Sequence, residues 1–581
     1  MHQSSRVRGW QRTWSAVALL LLSAAPIFAA TITATSTGDS GPGSLRAAIA
    51  SAANGDTINF SLTYPATIVL STPLTLGPSV TIAGPGASDL AISGGNSVVV
   101  LIVNAGATAA ISGLSIENGS SLLGGGIFNG GTLTLTNCVV SNNTVGTQLG
   151  GGIFNAGTLT LANTYVSQNA VDPPGELGLG GGIYNYLGTL TLVESTVISN
   201  SAGLNCCAIP SAQGGSGGGI YNDNGTLILT NSTIENNLAA TSGGGISNIG
   251  PNIIFGPDSS ALASGPAGTL SLTASTVYNN FCTPSLNGYS GPGDCTGGGG
   301  IYNRFGIVSL TNSTVANNAS NSISSPIGGG GILNEAGTLS LSFSTLSGND
   351  AYLFGASSLV PSAGGGISDF QGTLTVKNSI LANSTGGNCS VTAPATANSD
   401  GYNLSDDATC AGFLTQTGDL NSTAAGLDPA GLQNNGGPTE TIALLPSSPA
   451  VNAIPVSACT DVNGNPVTTD QRGVPRPQGS GCDIGAFEYL QSANVVPAVQ
   501  TFLLIGAVQA STVPRIVQVV LTVPLQAAVD SMNQGHVQVA VGQLEAFVIL
   551  VDLDRLAGGL SQQQAAAWTS SAKEIIQSLG S

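Results

Sequence analysis

Charge is what this chain has least of: 7% of its 581 residues are Asp, Glu, Lys or Arg. Only 11 of these are basic against 29 acidic, a formal net charge of −18, and three of the bases, Arg6, Arg8 and Arg12, crowd the N-terminus. Such a surface repels nucleic acid and anionic lipid, so neither is an expected partner. Histidine is nearly missing. His2 and His536 are the two, both outside the repetitive middle of the chain, which argues against a Cys/His zinc site. With 14 Phe and 3 Trp there are too few large rings for a broad globular core, but a narrow core of Leu, Ile and Val needs none. Uninterrupted apolar runs of bilayer length are missing too. Val495 to Val513 is broken by Pro497, Gln500, Gly506 and Gln509, and Ser15 to Ala25 is short for a span.

What the chain has instead is glycine, 82 residues of it, inside a repeating phrase. Gly-Gly-Gly-Ile-Tyr-Asn is followed by Gly-Thr-Leu-Thr-Leu-Thr-Asn-Ser-Thr-Val and then Asn-Asn. Copies run over Gly124–Asn143, Gly150–Val166, Gly180–Asn200, Gly217–Asn237, Gly243–Asn280, Gly298–Asn318, Gly329–Asn349 and Gly364–Asn383. Within each copy Leu alternates with Thr, as at Leu133 and Leu135, which predicts a strand with Leu inward and Thr outward. Ile127, Ile153, Ile183, Ile220, Ile246, Ile301, Ile332 and Ile367 mark a second short strand. Gly triplets and β-branched runs leave no crossover helix, so like strands can lie parallel only if the chain winds as a coil. The expected fold is all-β, a right-handed parallel β-helix with a small C-terminal α-helical domain.

Asn recurs at two corners, one with Asn155, Asn185, Asn222, Asn248, Asn303 and Asn334, the other with Asn137, Asn231, Asn312 and Asn378. Stacked amides hydrogen-bond along a column and tolerate bends, which explains them without a ligand. The outward Thr rows, such as Thr132, Thr134 and Thr136, read as a solvated β face; an ice-binding face is the sharper alternative.

Spacing varies mainly between the Asn-Asn corner and the next Gly triplet. Insertions at Val166–Leu179, Ser201–Ser216, Phe281–Thr296, Ala319–Ile327 and Ala351–Ala363 would emerge along one edge, while Ile249–Ala267 interrupts a unit elsewhere. They carry a sparse acidic and aromatic set suited to sugars or cations: Asp172, Glu176, Tyr289, Asp294, Asp350, Tyr352 and Phe354. These are the candidate binding residues. No cofactor is implied, and Ca²⁺ binding is left open.

Arg6, Arg8 and Arg12, the apolar run after them and the small residues Ala29 and Ala30 form a secretory signal peptide over residues 1–29. Export permits disulfides. Cys389 with Cys410 and Cys459 with Cys482 are local pairs beyond the repeats; Cys206, Cys207, Cys282 and Cys295 lie in insertions with open pairing. Cys138 stands where other units have Ser232, Ser313 or Ser379 and is expected unpaired.

The ends differ from the repeats. Ser44 can cap a short helix running to Asn54, a plug for the first coil. Asp470, Arg472, Arg476, Asp483 and Glu488 concentrate charge in a Pro- and Gly-rich stretch that reads as a hydrogen-bonded cap. The expected divisions are first coils over 31–120, repeats over 121–385, last coils and cap over 386–490, a linker over 491–522 and helices over 523–581. Leu525, Val529 and Met532 predict a short helix after Pro524; Val537 to Val551 predict another; Ser561 with Gln564 is a capping box before a third.

Three stretches carry a family resemblance: Thr37-Gly-Asp-Ser-Gly-Pro-Gly-Ser-Leu-Arg46, Asn54 to Phe60 with Val80 to Gly86, and the closing Thr469 to Pro477 with Cys482 to Tyr489. The first resembles a Ser-Leu-Arg-Glu-Ala-type start, with Ala47 where many members have Glu or Gln. The repeats resemble those of polymorphic outer-membrane proteins in the pectin-lyase-like superfamily, and the closing stretch is similar to that of choice-of-anchor Q proteins. Leu544-Glu-Ala-Phe-Val548 and Leu560 to Ala566 resemble the FIMAH domain. The resemblance implies a bacterial surface or extracellular β-helix protein without naming a reaction.

Polysaccharide lyases and hydrolases of such folds use clustered carboxylates or an Arg or Lys base. Between Gly124 and Asn383 the bases are Arg304 and Lys377, and acids are scattered about one per coil. The expectation is a non-catalytic binding, adhesive or structural scaffold facing a polysaccharide or cell-envelope component. A lyase or hydrolase is the alternative.

Overall fold

The structure, a computed structural model, describes residues 29–579 apart from 78, 173–177, 204–214, 252, 256–260, 264–265, 284–294, 296, 323–327, 356–357, 362–363, 491–496, 510, 512 and 535. Residues 1–28 of the expected signal peptide, Cys206 and Cys207 lie outside these residues.

The repeats wind into a parallel β-helix with four sheets. In coil order these have eleven strands through Ile127–Asn129, thirteen through Thr132–Thr136, twelve through Val139–Ser141 and nine through Thr144–Leu149. Most repeats therefore contribute two more strands than their Ile and Leu runs alone predict. Register is set by the apolar columns: Leu133 pairs with Leu159, and the column continues through Leu190, Leu227, Leu270, Val308, Leu339 and Leu374. All are buried. A one-residue slip would expose the whole column, and each such side chain contributes about 1.5–3 kcal/mol by leaving water.

Between sheets the chain turns by the same device at two corners, a left-handed residue followed by one that points inward. At the first corner Asn137, Asn163, Glu194 and Asn231 have φ of 54°, 48°, 49° and 51°. Their successors form a buried relay in which Thr164 N–H donates to Ser195 Oγ, Ser195 N–H to Ser232 Oγ and Ser232 N–H to Ser275 Oγ. Cys138 occupies the head of this row, buried and unbonded to another sulfur. At the second corner Asn142, Asn236 and Asn279 are left-handed, and Asn143, Asn169, Asn200, Asn237, Asn280, Asn318 and Asn349 stack inside. The expected column of Asn137, Asn231, Asn312 and Asn378 is thus the outward, left-handed half of a corner. The expected column from Asn155 to Asn334 is a buried amide ladder, extended at its ends by Asn129 and Asp369, with Nδ2 to Oδ1 distances of 2.7–2.8 Å.

Both ends of the apolar bore are stoppered. Helix α1, Leu45–Ser51, is capped by Ser44 Oγ accepting from Ala47 N–H and inserts Leu45, Ala48 and Ile49. At the far end Cys410 and Leu414 enter the core, clasped by the Cys389–Cys410 disulfide.

The stretch from about Ala425 to Tyr489 does not close that end. It folds back as a strap along the outside of the twelve-stranded sheet. Thr276 Oγ1 donates to Glu440 O, Thr314 Oγ1 to the Gln471 side chain, Asn312 Nδ2 to Thr469 O and Lys377 Nζ to Thr460 Oγ1, while Ala486 N–H donates to Thr345 Oγ1. Beneath it Phe343, Ile380, Ala382 and Leu404 face outward into an apolar layer with Ala450, Ile454, Ile484 and Phe487. Its two arginines are paired within it. Arg476 pairs with Glu488 and Arg472 with Asp470, both at 2.7 Å and buried, with Arg472 over the Phe487 ring and Arg476 over Phe343. Burial raises the Asp483 and Glu488 carboxyls above the ordinary range; the Glu488 charge adds to the rise at Asp483, whereas Arg476 opposes it at Glu488. Cys459–Cys482 ties the strap internally.

Four helices follow: α2 Pro497–Gln509, α3 Arg515–Asn533, α4 Val537–Ala557 and α5 Gln562–Leu579, around their own core. Where a linker was expected over 491–522, residues 497–509 and 515–522 are helical. Pro497 suits a first helical position, where its missing N–H has no partner to lose. Pro524 lies inside α3 rather than before it; Val520 and Val523 beside it are exposed, so water can reach the carbonyl that it leaves unbonded. The capping box forms as expected, Gln564 N–H donating to Ser561 Oγ and Ser561 N–H to Gln564 Oε1. Among the described residues no helix is long and apolar enough to cross a membrane.

Candidate functional site

The first residues of successive strands in the twelve-stranded sheet form an outward column: Val139, Tyr165, Thr196, Thr233, Thr276, Thr314, Thr345 and Ile380. The strap covers the last four. Tyr165, Thr196 and Thr233 are left open, and there a cleft of about 440 Å³ forms between the coils, the strap's leading loop and the helices.

The coil wall of the cleft holds Asn163, Tyr165, Glu194, Thr196, Asn231 and Thr233. Strand alternation aims Tyr165, Thr196 and Thr233 outward, since their neighbours Val166, Val197 and Ile234 are taken by the core. The left-handed corner throws Asn163, Glu194 and Asn231 out beside them. Opposite stand Asn434 and Pro438 of the strap and Gln509, Gln518 and Thr522 of α2 and α3. Two glycines allow that closeness: a Cβ at Gly506 of α2 would lie 2.9 Å from Gly436 Cα.

Among the described residues the lining is mostly amide and hydroxyl, with Pro438 and Val519 as apolar members, one aromatic ring, Tyr165, 47% exposed, and one charged group, Glu194. Donors and acceptors without a positive charge match an uncharged polyhydroxylated ligand, and an open aromatic face suits the C–H face of a sugar ring. Two residues past Thr233, Glu235 has its carboxyl raised by burial and then by the charge of Glu440.

A second aromatic feature runs along the eleven-stranded sheet. Phe128, Phe154, Tyr184 and Tyr221 stack at 5.2–5.4 Å between centroids, and Tyr184 donates to Asp223 at 2.6 Å. Burial and the Asp223 charge push the Tyr184 hydroxyl far above its ordinary range. These faces are occupied by one another. The outward Thr columns of the thirteen-stranded sheet stay in register, Thr132, Thr158, Thr189, Thr226 and Thr269 in succession.

The residues singled out from the sequence lie elsewhere. Asp350, Tyr352 and Phe354 share the strand Asp350–Gly355, and Asp172 follows the strand Ala170–Val171; both strands belong to the nine-stranded sheet. Glu176, Tyr289 and Asp294 lie outside the described residues. The insertions other than 249–267 leave from that sheet, whereas the cleft opens over its neighbour. Cys282–Cys295 is a third disulfide, beside Cys389–Cys410 and Cys459–Cys482. Among the described residues no three His, Cys, Asp or Glu side chains converge as metal ligands.

No signal within one repeat could have revealed the cleft, which joins residues some hundreds of positions apart. The strap did leave one. Phe343 replaces the corner Asn of its neighbours and Ile380 the Thr, apolar groups at outward positions that need a cover. Compared with the sequence models of known families and with curated proteins, the chain matches none.

Proposed function

We propose that the protein is an exported β-helix scaffold of the choice-of-anchor Q kind that binds an uncharged glycan of the cell envelope or its surroundings in the cleft. The helical module, FIMAH-like in its sequence, forms one wall. The carrying observation is the lining of that cleft, mostly amides and hydroxyls around the exposed Tyr165 ring with no basic side chain among the described residues. Three disulfides support a life in an oxidising compartment. An acidic protein with Glu194 in its cleft would reject polyanions such as polygalacturonate. A glycan array followed by calorimetry tests this. Neutral oligosaccharides should bind, and Tyr165→Ala should weaken them about tenfold or more, the loss of a stacking face. Binding restricted to anionic glycans would overturn the proposal.

A second reading, hydrolysis, is favoured by Glu235. Burial and then the Glu440 charge raise the Glu235 carboxyl, the direction that suits a general acid set beside a second carboxylate. Reducing-end release from a bound polysaccharide, abolished in Glu235→Gln, would establish it; binding without turnover leaves the scaffold.

A further inference from the structure

The helical module keeps a row of apolar side chains that its own core leaves exposed. Val520 and Val523 of α3 and Ile549, Leu553 and Leu556 of α4 are 49%, 63%, 60%, 57% and 72% exposed. On α4 the last three fall at i, i+4 and i+7, one stripe of a helix. Val520 and Leu553 of this set line a groove of about 310 Å³ between the start of α3 and the end of α4. Val517, Val520 and Leu521 form one wall and Leu550, Leu553 and Ala557 the other. Two helices presenting side chains at three- and four-residue spacing leave a trough shaped for a third, the helix-in-groove mode of recognition.

One polar group lines it, Asp554, and among the described residues its Oδ2 is shut away from solvent without a hydrogen-bond partner. A buried carboxylate oxygen with nothing to accept from is costly, and the cost is recovered when a cation arrives. The nearby Arg555 does not serve it, being turned to Asp552. Charge selects the occupant further. The module has more carboxylates than bases, and the chain carries −18, so a second copy would set acidic surface against acidic surface.

We infer that this groove docks an amphipathic helix of a partner protein, which lays Leu-like side chains between α3 and α4 and brings a lysine or arginine to Asp554. The module then has two faces: one closing the cleft over the coils, the other joining the scaffold to something else.

The test uses the full chain and a fluorescein-labelled synthetic helix with Leu at i, i+3, i+4 and i+7 and flanking Lys, against the same peptide with Glu for Lys. Anisotropy should show the Lys peptide binding at least tenfold more tightly than the Glu peptide. Leu553→Gln should remove binding of both, and Asp554→Asn should bring the two affinities within about threefold while Asp552→Asn leaves their ratio intact. Near-ultraviolet circular dichroism from Trp568 confirms that the variants keep the module's core. Equal loss of selectivity in Asp552→Asn and Asp554→Asn would overturn the inference, reducing it to bulk charge. So would failure of both peptides to bind, or sedimentation of the wild type as a dimer that Leu553→Gln disperses.

Discussion

Single side chains in this molecule are judged by the column they stand in. Asp369 ends the amide ladder where seven coils before it have Asn, and it receives Asn334 Nδ2 on Oδ1 while its Oδ2 has no partner among the described residues. Burial pushes its carboxyl up to about 6, against the lowering effect of the Asn334 bond. The folded state therefore holds this proton more tightly than the unfolded chain, and its contribution to stability falls as pH rises from 3.8 to about 6. Asp369→Asn restores a donor and removes the titration. Denaturant unfolding should find it more stable than wild type by about 2 kcal/mol at pH 8 and near parity at pH 4; a variant weakened equally at both would contradict the account. In mid-ladder the opposite holds. Asn222 accepts from Asn185 and donates to Asn248 and to Gly225 O, so Asn222→Ala strands buried partners on both sides and should cost about 2–4 kcal/mol in the same measurement. The inward Leu, Ile and Asn155-type positions were legible from the sequence because period-two alternation and corner chemistry act locally. The second ladder was not. In an Asn-Asn pair the residues are chemically identical, and only the left-handed φ of the first decides that the second turns inward.

Among the elements the strap is the one whose placement no local rule gives. Gln471 donates to Thr276 Oγ1 across 195 residues of sequence and accepts from Thr314. Gln471→Ala breaks a polar contact shared by two coils, and hydrogen exchange should quicken over 425–489 while the coils before Thr233 stay protected. The helices show the same dependence on neighbours: Pro524 argues for a break, yet burial of Leu504, Leu521 and Leu525 in one core places two helices in and across the expected linker. Gly506→Val probes the seam between them. With Gly436 Cα 2.9 Å from a Cβ at that place, α2 must back away from the strap, and glycan affinity should fall with little change in melting temperature.

For the molecule as a whole, the solenoid core runs unbroken from Leu45 to Leu414, and the helical core is separate from it. A chain ending at Leu490 should keep the β-type circular dichroism and main melting transition of the full protein, yet lose glycan binding with the loss of Gln509, Gln518 and Thr522. A collapse of the whole transition would show the helices to be part of one cooperative unit. The architecture was readable from repetition because each coil answers to its neighbours; the cleft was not, because it lies where three parts meet.

The strap also bears on how such a gene could change length. A repetitive solenoid tolerates the gain or loss of a whole coil, since any coil fits its neighbours. Over the coils of Thr276, Thr314, Thr345 and Ile380 that freedom ends: deleting one would shift every later anchor by about 4.8 Å against a strap of fixed span. Recombination between repeats should therefore leave viable proteins when it acts before Asn237, and misfolded ones when it acts after.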